Sequence, residues 1–210
     1  MSIQTRRERE RAERERLIVT AARELAESEG WDAVTTRRLA EEIEYSQPVL
    51  YSHFKGKDAI MAAVAVEGFA DIAAELRAAR TSAAGTRQAL ADVGAAYTEF
   101  AAQRPALYDA MFTHPVDLPF ATSEAPPALQ EAFGELREAM RPLAGDDDLE
   151  TLTETFWSGL HGLVTLMRSG RLRREGRERR LTLLLDRFAR HPAGHTARGP
   201  GDAGHQGAPM

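Results

Sequence analysis

Residues 35–57 read TTRRLAEEIEYSQPVLYSHFKGK, two helical patterns separated by a turn. Thr35 is a hydroxyl residue suited to cap a helix. Leu39, Ala40 and Ile43 then recur on one face at helical spacing. Glu44-Tyr45 makes a tight turn, and Ser46 is a second candidate cap, with Pro48 in the following first turn, where a missing N–H costs little. Val49, Leu50 and Phe54 face inward from this short second helix, which ends near His53-Phe54. A helix, a tight turn and a shorter helix with apolar contact faces is the layout of a helix-turn-helix. The other reading is an ordinary helical hairpin. It fits less well, because the second helix is short for a bundle member. Its outward residues Gln47, Tyr51 and Ser52 are hydrogen-bonding types suited to phosphates and base edges.

Outward from this stretch the text stays helical. Ala, Leu, Glu and Arg dominate, and no alternating strand pattern appears. A first helix over about 8–29 carries Ile18, Ala21, Ala22 and Leu25 as a stripe and stops at Gly30. A long fourth helix over about 58–80 repeats Ile60, Val64, Gly68, Ile72 and Leu76. Further helices are expected over about 86–103, 105–112 and from 126 onward, with a loop over 113–125. The acidic turn 145–148 suits the start of a helix reaching about 169, and a last helix covers about 178–190. The expected fold is all-α, about nine helices. Residues 1–57 form a DNA-binding head with a basic N-terminal arm. A second helical domain follows over 58–190, and a disordered Pro/Gly/His tail is expected over 191–210.

The bulk composition sets outer bounds. The chain has 210 residues, 43% hydrophobic, with net charge −5 and no cysteine. Disulfides and thiolate metal sites are excluded, which suits a reducing compartment, and cytoplasmic residence is expected. No apolar run approaches membrane-spanning length, so no membrane association is expected. Net acidity does not exclude DNA, since binding needs a local basic face.

The motif Thr36-Arg37-Arg38-Leu39-Ala40, then Ser46, then Leu50-Tyr51-Ser52-His53-Phe54-Lys55-Gly56-Lys57-Asp58 resembles the tetracycline-repressor (TetR) family over roughly residues 10–65. Trp157-Ser158-Gly159-Leu160-His161-Gly162 looks like the W-x-x-x-H-G pattern of one ligand-binding subclass of that family. The resemblance implies a repressor released from a palindromic operator by a small molecule, with residues 58–190 as its helical ligand-binding and dimerisation domain. It implies phosphate contacts from Thr35, Thr36 and Arg37, and Ser46, Gln47 and Pro48 at the start of the recognition helix, with Gln47 and Pro48 facing base edges. Tyr51 and His53 would meet phosphate or the groove wall, and Lys55 and Lys57 the DNA backbone. It also implies a homodimer through helices 8 and 9, for which Leu181, Leu184, Leu185 and Phe188 make a suitable stripe. The sequence departs from the pattern at Glu44, where glycine is usual; a non-glycine there has to adopt a left-handed backbone. Glu41, Glu42 and Glu44 also place negative charge near the expected DNA face.

Other features have plainer readings. Residues 6–16 alternate Arg with Glu, which suits a solvated helix face with i,i+4 pairs; Arg6, Arg7, Arg9 and Arg11 as a flexible basic arm on DNA is the sharper alternative. The Arg-rich stretch 171–180 reads as a solvated connector. His161 lies on an apolar helix face one turn from Trp157, and Tyr97, Phe100, Met111, Phe112, Phe133 and Met140 are further candidate walls of a pocket for an apolar or aromatic effector. Each of these, taken singly, also suits plain core. No metal is expected at His191, His195 and His205, and Asp146–148 suits helix capping better than a cation. Phosphate loops, nucleophile elbows and metal-ligand spacings are absent, so neither an enzyme nor a cofactor is expected. A helical protein-interaction module without sequence-specific DNA binding is the alternative function.

Overall fold

The computed structural model describes residues 3–116, 118–120, 122, 124–173 and 175–189. Among these there are nine α-helices and no strand. The expected tail, with His191, His195 and His205, lies outside the described residues.

The first helix, α1 (Ile3–Glu29), starts earlier than its apolar stripe suggests. The charged residues that precede the stripe are helical, with Arg6–Glu10 at 2.8 Å and Arg11–Glu15 at 2.9 Å. A flexible arm of Arg6, Arg7, Arg9 and Arg11 is therefore corrected to a solvated helix. Alternating good helix formers with i,i+4 pairs favour continuing α1 through this solvated stretch. From Ile18 onward the stripe Ile18, Ala21, Ala22 and Leu25 is buried.

Two short helices complete the head, α2 (Thr36–Glu42) and α3 (Gln47–His53). Thr35 caps α2 by accepting the Arg38 N–H at 3.1 Å. At the other end Tyr45 N–H reaches back to Ala40 O (2.9 Å) and Glu44 N–H to Glu41 O (3.4 Å). This is the paired closure of a Schellman turn, and it requires a left-handed residue between the two donors. Glu44 takes that role at φ +56°, the one non-glycine with positive φ among the described residues. Leu25, Val34, Leu39 and Leu50 are buried together, with Phe54 half-buried against them.

The long α4 (Lys57–Ser82) joins the head to α5 (Thr86–Gln103), α6 (Pro105–Phe112), α7 (Pro127–Met140), α8 (Leu149–Arg168) and α9 (Arg177–Ala189). Its inward residues Ile60, Val64, Ile72 and Leu76 are buried. Gly68 lets α6 cross closely, since a Cβ there would lie 2.7 Å from Met111 Sδ. Near its C-terminus, Arg77 and Arg80 hold the buried Glu135 of α7 at 2.7 and 2.6 Å. A carboxylate this buried needs both partners to offset its lost hydration. Asp148 caps α8 by accepting the Thr151 N–H at 2.8 Å, and that bond holds the Asp148 carboxyl below its usual range. No helix among the described residues is long and apolar enough to cross a membrane.

Candidate nucleic-acid interface and effector cavity

On α3 the residues turned to solvent are Gln47, Pro48, Tyr51 and Ser52. Their i, i+1, i+4, i+5 spacing is one helix face. Tyr51 is 52% exposed, and its hydroxyl lies 3.3 Å from Thr36 Oγ1, so α2 and α3 present one continuous polar edge. Thr35 and Ser46 are also exposed; Thr35 uses its hydroxyl as the α2 cap, whereas Ser46 makes no side-chain cap. Arg37 is exposed and paired with Glu41 at 3.0 Å. Lys55 is exposed.

Two residues expected on the DNA surface are turned away from it. The His53 side chain is only 6% exposed and sets Nδ1 3.3 Å from Glu15 Oε1. It sits on the inward face of α3, next to the α1 packing, and anchors that helix. Lys57 donates its ammonium to the carbonyl of Trp31, holding the linker between α1 and α2. In the structure both side chains therefore support the head from within.

The larger domain encloses a cavity of about 530 Å³, a volume suited to one drug-sized molecule. Tyr97, Phe112, Phe133 and Trp157 line it, together with Phe69 and Phe120. Phe69 meets Phe112 and Phe120 edge-on, at 5.3 and 5.9 Å between ring centres. The polar lining groups are Gln130, Arg137, Glu154 and Thr122, at the α7 and α8 side and in the preceding loop. Arg137 bonds Glu150 through Nη1 at 3.0 Å, while its buried Nε has no partner.

Phe100, Met111 and His161 do not line this space. Phe100 is core, stacked under the Arg104 guanidinium at 4.8 Å. Met111 fills the α4–α6 crossing at Gly68, and Met140 is also core. His161 stands one layer behind the wall, 5.2 Å from the Phe112 ring and 5.9 Å from the Trp157 ring.

That second layer is polar and closed. Trp157 Nε1–H donates to Tyr97 Oη at 3.0 Å. The two phenols, Tyr97 and Tyr108, are 3.0 Å apart, and Tyr108 Oη is 2.7 Å from His161 Nδ1. His161 Nε2 lies 3.4 Å from Thr165 Oγ1. Indole can only donate, so Tyr97 passes its own proton to Tyr108, and Tyr108 donates to His161. We assign the Nε2–H tautomer to His161, because the opposite order leaves the Tyr97 hydroxyl with no acceptor. Burial holds His161 below its usual pKa and so neutral. Burial likewise raises Tyr97 to about 12 and pushes Tyr108 higher still. Tyr108 is a residue the sequence reading passed over. The signal for it is indirect: a helical histidine among leucines needs a polar partner, and no periodicity says which helix supplies one.

Leu181, Leu184, Leu185 and Phe188 are half-buried. They face the chain's own core: Leu184 fills the space above Gly159, where a Cβ would lie 2.8 Å away, and Phe188 meets Phe156 edge-on at 5.2 Å. The outer face of α8 and α9 shows Gly162, Leu163, Leu166, Leu183 and Leu184, with Arg180 and Arg187 beside them. Leu166 and Leu183 are 40% and 51% exposed. Leu184 thus serves both the chain's own core and the outer groove, and most of the other apolar surface of that groove comes from α8.

Comparison with known proteins gives two family matches. Residues 18–64 match the family described as bacterial regulatory proteins, tetR family, and residues 90–188 match the tetracyclin repressor-like C-terminal domain. An uncharacterized HTH-type transcriptional regulator of Mycobacterium tuberculosis, Rv0681, is 30% identical over 156 residues, covering 73% of this chain and 69% of the relative. The HTH-type regulator YobS of Bacillus subtilis is 32% identical over 96 residues; that match covers 46% of this chain and 50% of YobS, so the chain spans about half of that relative's length. A solved structure of a protein of unknown function from Rhodococcus sp. RHA1 superposes with TM-score 0.72 at 24% identity, covering 86% of this chain and 95% of the other. That likeness speaks for the fold.

Proposed function

This chain belongs to the tetR family of bacterial regulatory proteins, and from that premise we propose that it is a DNA-binding transcriptional repressor released by a small-molecule effector. The observation that carries the DNA reading is the exposed face of α3, where Gln47, Pro48, Tyr51 and Ser52 stand together beside Thr36. A helix of this size fits the major groove, and amide and phenol groups suit base edges and phosphates. Thr35, Arg37 and Lys55 supply further phosphate contacts around it.

The working unit is a homodimer. Gly162, Leu163, Leu166 and Leu183 on the outer face of α8 and α9 meet their copies in a four-helix seam, since an exposed apolar strip on paired helices is stabilised by two-fold burial. Two-fold symmetry then sets two recognition helices on a palindromic operator, with half-sites about one DNA turn, roughly 34 Å, or somewhat more apart.

The effector occupies the aromatic cavity. Trp157 spends its N–H on Tyr97, and Tyr97 its own proton on Tyr108, so that wall offers faces of rings, while Gln130, Arg137 and Glu154 gather at one side. The ligand class is an apolar or aromatic body with a polar end. Binding releases DNA by favouring a shape in which the two heads no longer match the half-sites, and the effect equals the ligand's differential affinity for the two shapes.

The test is fluorescence anisotropy with an operator selected from a random duplex library, at two salt concentrations, using the chain and its Gln47→Ala/Tyr51→Ala variant. Saturable, sequence-preferring binding that the variant loses is the expected result. Equal affinity for all sequences, or undiminished binding by the variant, overturns the reading.

A further inference from the structure

Two contacts tie the helix behind the cavity to the DNA-binding head, and neither passes through α4. Glu27, in the last turns of α1, accepts from the backbone N–H groups of Ala106 (3.2 Å) and Leu107 (2.8 Å). These are free donors of the first turn of α6, where a carboxylate is also favoured by the helix dipole. Trp31, buried in the linker between α1 and α2, donates Nε1–H to the carbonyl of Ala106 at 2.8 Å. The same linker is held from the other side by Lys57. At its far end α6 carries Phe112 in the cavity wall, and between the two ends Tyr108 sits in the hydrogen-bond chain to His161.

Helix α6 has 8 residues and so spans about 12 Å. It is gripped on a further flank by Arg168 of α8, which bonds Asp109 (2.7 Å) and the Pro105 carbonyl (3.0 Å). A helix this short, held at both ends, moves as one piece, so a displacement at Phe112 arrives at Ala106. We propose that Glu27 and Trp31 are positioning residues that carry the state of the cavity to the head. A ligand against Phe112 shifts α6, and α6 draws on the end of α1 and on the linker that sets α2 and α3. This inference rests on the DNA-binding and effector reading above. The competing arrangement sends all coupling through α4, with Glu27 and Trp31 as simple anchors.

A double-mutant cycle on the full chain separates the two without knowledge of the effector. Phe112→Ala alters the cavity end of α6. Glu27→Gln with Trp31→Phe loosens the head end, the first without change of shape and the second keeping an aromatic ring. Operator affinity is measured by anisotropy for all four proteins, with thermal unfolding as the check on folding. Phe112→Ala is expected to change operator affinity about fivefold or more in the original chain and less than about twofold in the loosened one. The same change in both backgrounds, or none in either, overturns the proposal while leaving the repressor reading intact. If no duplex is preferred at all, the repressor reading fails and this inference falls with it. Amide hydrogen exchange, which needs no DNA, is the second measurement. Phe112→Ala is expected to alter protection over residues 25–34 only when Glu27 and Trp31 are present, and an equal change without them overturns the coupling.

Discussion

The head and the larger domain use polar side chains in opposite ways. On α3, Gln47 and Tyr51 stand in solvent, and little inside the protein depends on them. Behind the cavity, Trp157, Tyr97, Tyr108 and His161 are linked in a chain in which each donor has an acceptor. A surface built to meet a partner leaves its groups free until the partner arrives. A wall built to hold a shape satisfies its groups in advance. Function and stability therefore separate in the head and are joined in the sensor domain.

The sharpest way to break this contrast is at α3. Gln47→Ala with Tyr51→Ala is expected to lower specific operator affinity about a hundredfold, since each base-edge or phosphate contact is worth roughly 1–3 kcal/mol. The thermal midpoint is expected to stay nearly unchanged, because exposed substitutions away from caps and cores cost within about 0.5 kcal/mol. A variant that unfolded early would show that the α3 face also holds the head together.

Tyr108→Phe makes the opposite demand. It keeps the ring and removes one oxygen, so both Tyr97 Oη and His161 Nδ1 lose a partner in a buried setting. The expected loss is about 2 kcal/mol, the usual cost of stranding buried polar groups. Trp157→Phe cuts the chain at its first donor and leaves no stranded hydrogen, so its cost is expected to be smaller. Denaturant unfolding of the two variants checks the order, and equal costs would count against a one-way chain.

His161 extends the same idea to pH. Burial lowers its pKa in the folded protein, so the unfolded chain binds more protons as pH drops. The stability tied to neutral His161 is present above its ordinary pKa of 6.5 and is lost as pH falls through the depressed folded value. Unfolding measured between pH 7 and pH 5 is expected to show this decline, and His161→Gln, which still offers Tyr108 an acceptor, to flatten it. An unchanged slope would mean that other groups set the acid sensitivity.

How much of each region was legible in the sequence follows from the same contrast. The head is local: Thr35 as cap and Leu39 and Leu50 as contacts lie within one short stretch and appear where spacing places them, and Glu44 takes the left-handed turn that the family pattern implies. Periodicity says which face a residue takes but not what meets it, which is why His53 and Lys57 looked like DNA contacts. Their partners, Glu15 and the Trp31 carbonyl, belong to α1 and its linker. The cavity is assembled from α4, α5, α6, α7, α8 and a loop. Helical spacing singled out Tyr97, Phe112, Phe133 and Trp157, yet it equally favoured Phe100 and Met111, which are core. Phe120, from a stretch read simply as a loop, is part of the wall. The same limit applies to α9, where an apolar stripe reveals an interface without telling whether it lies within one subunit or between two.

The smallest expected effect tests the turn that joins α2 to α3. Glu44 holds a left-handed conformation at a cost that glycine escapes, but glycine also gives the unfolded chain more freedom. The two nearly offset, and Glu44→Gly is expected to add about 0.5 kcal/mol of stability. The same change removes a carboxylate beside the polar edge of α2 and α3, which should raise nonspecific DNA affinity about two- to threefold at low salt and less at high salt. Glu44→Gln separates the two causes, because it keeps the strained backbone and drops the charge. If the carboxylate guards against nonspecific binding, the Gln variant gains the affinity without the stability. If Gln changes neither while Gly changes both, the turn geometry alone positions α3 on DNA, and the negative charge at Glu44 has no part in selecting the operator.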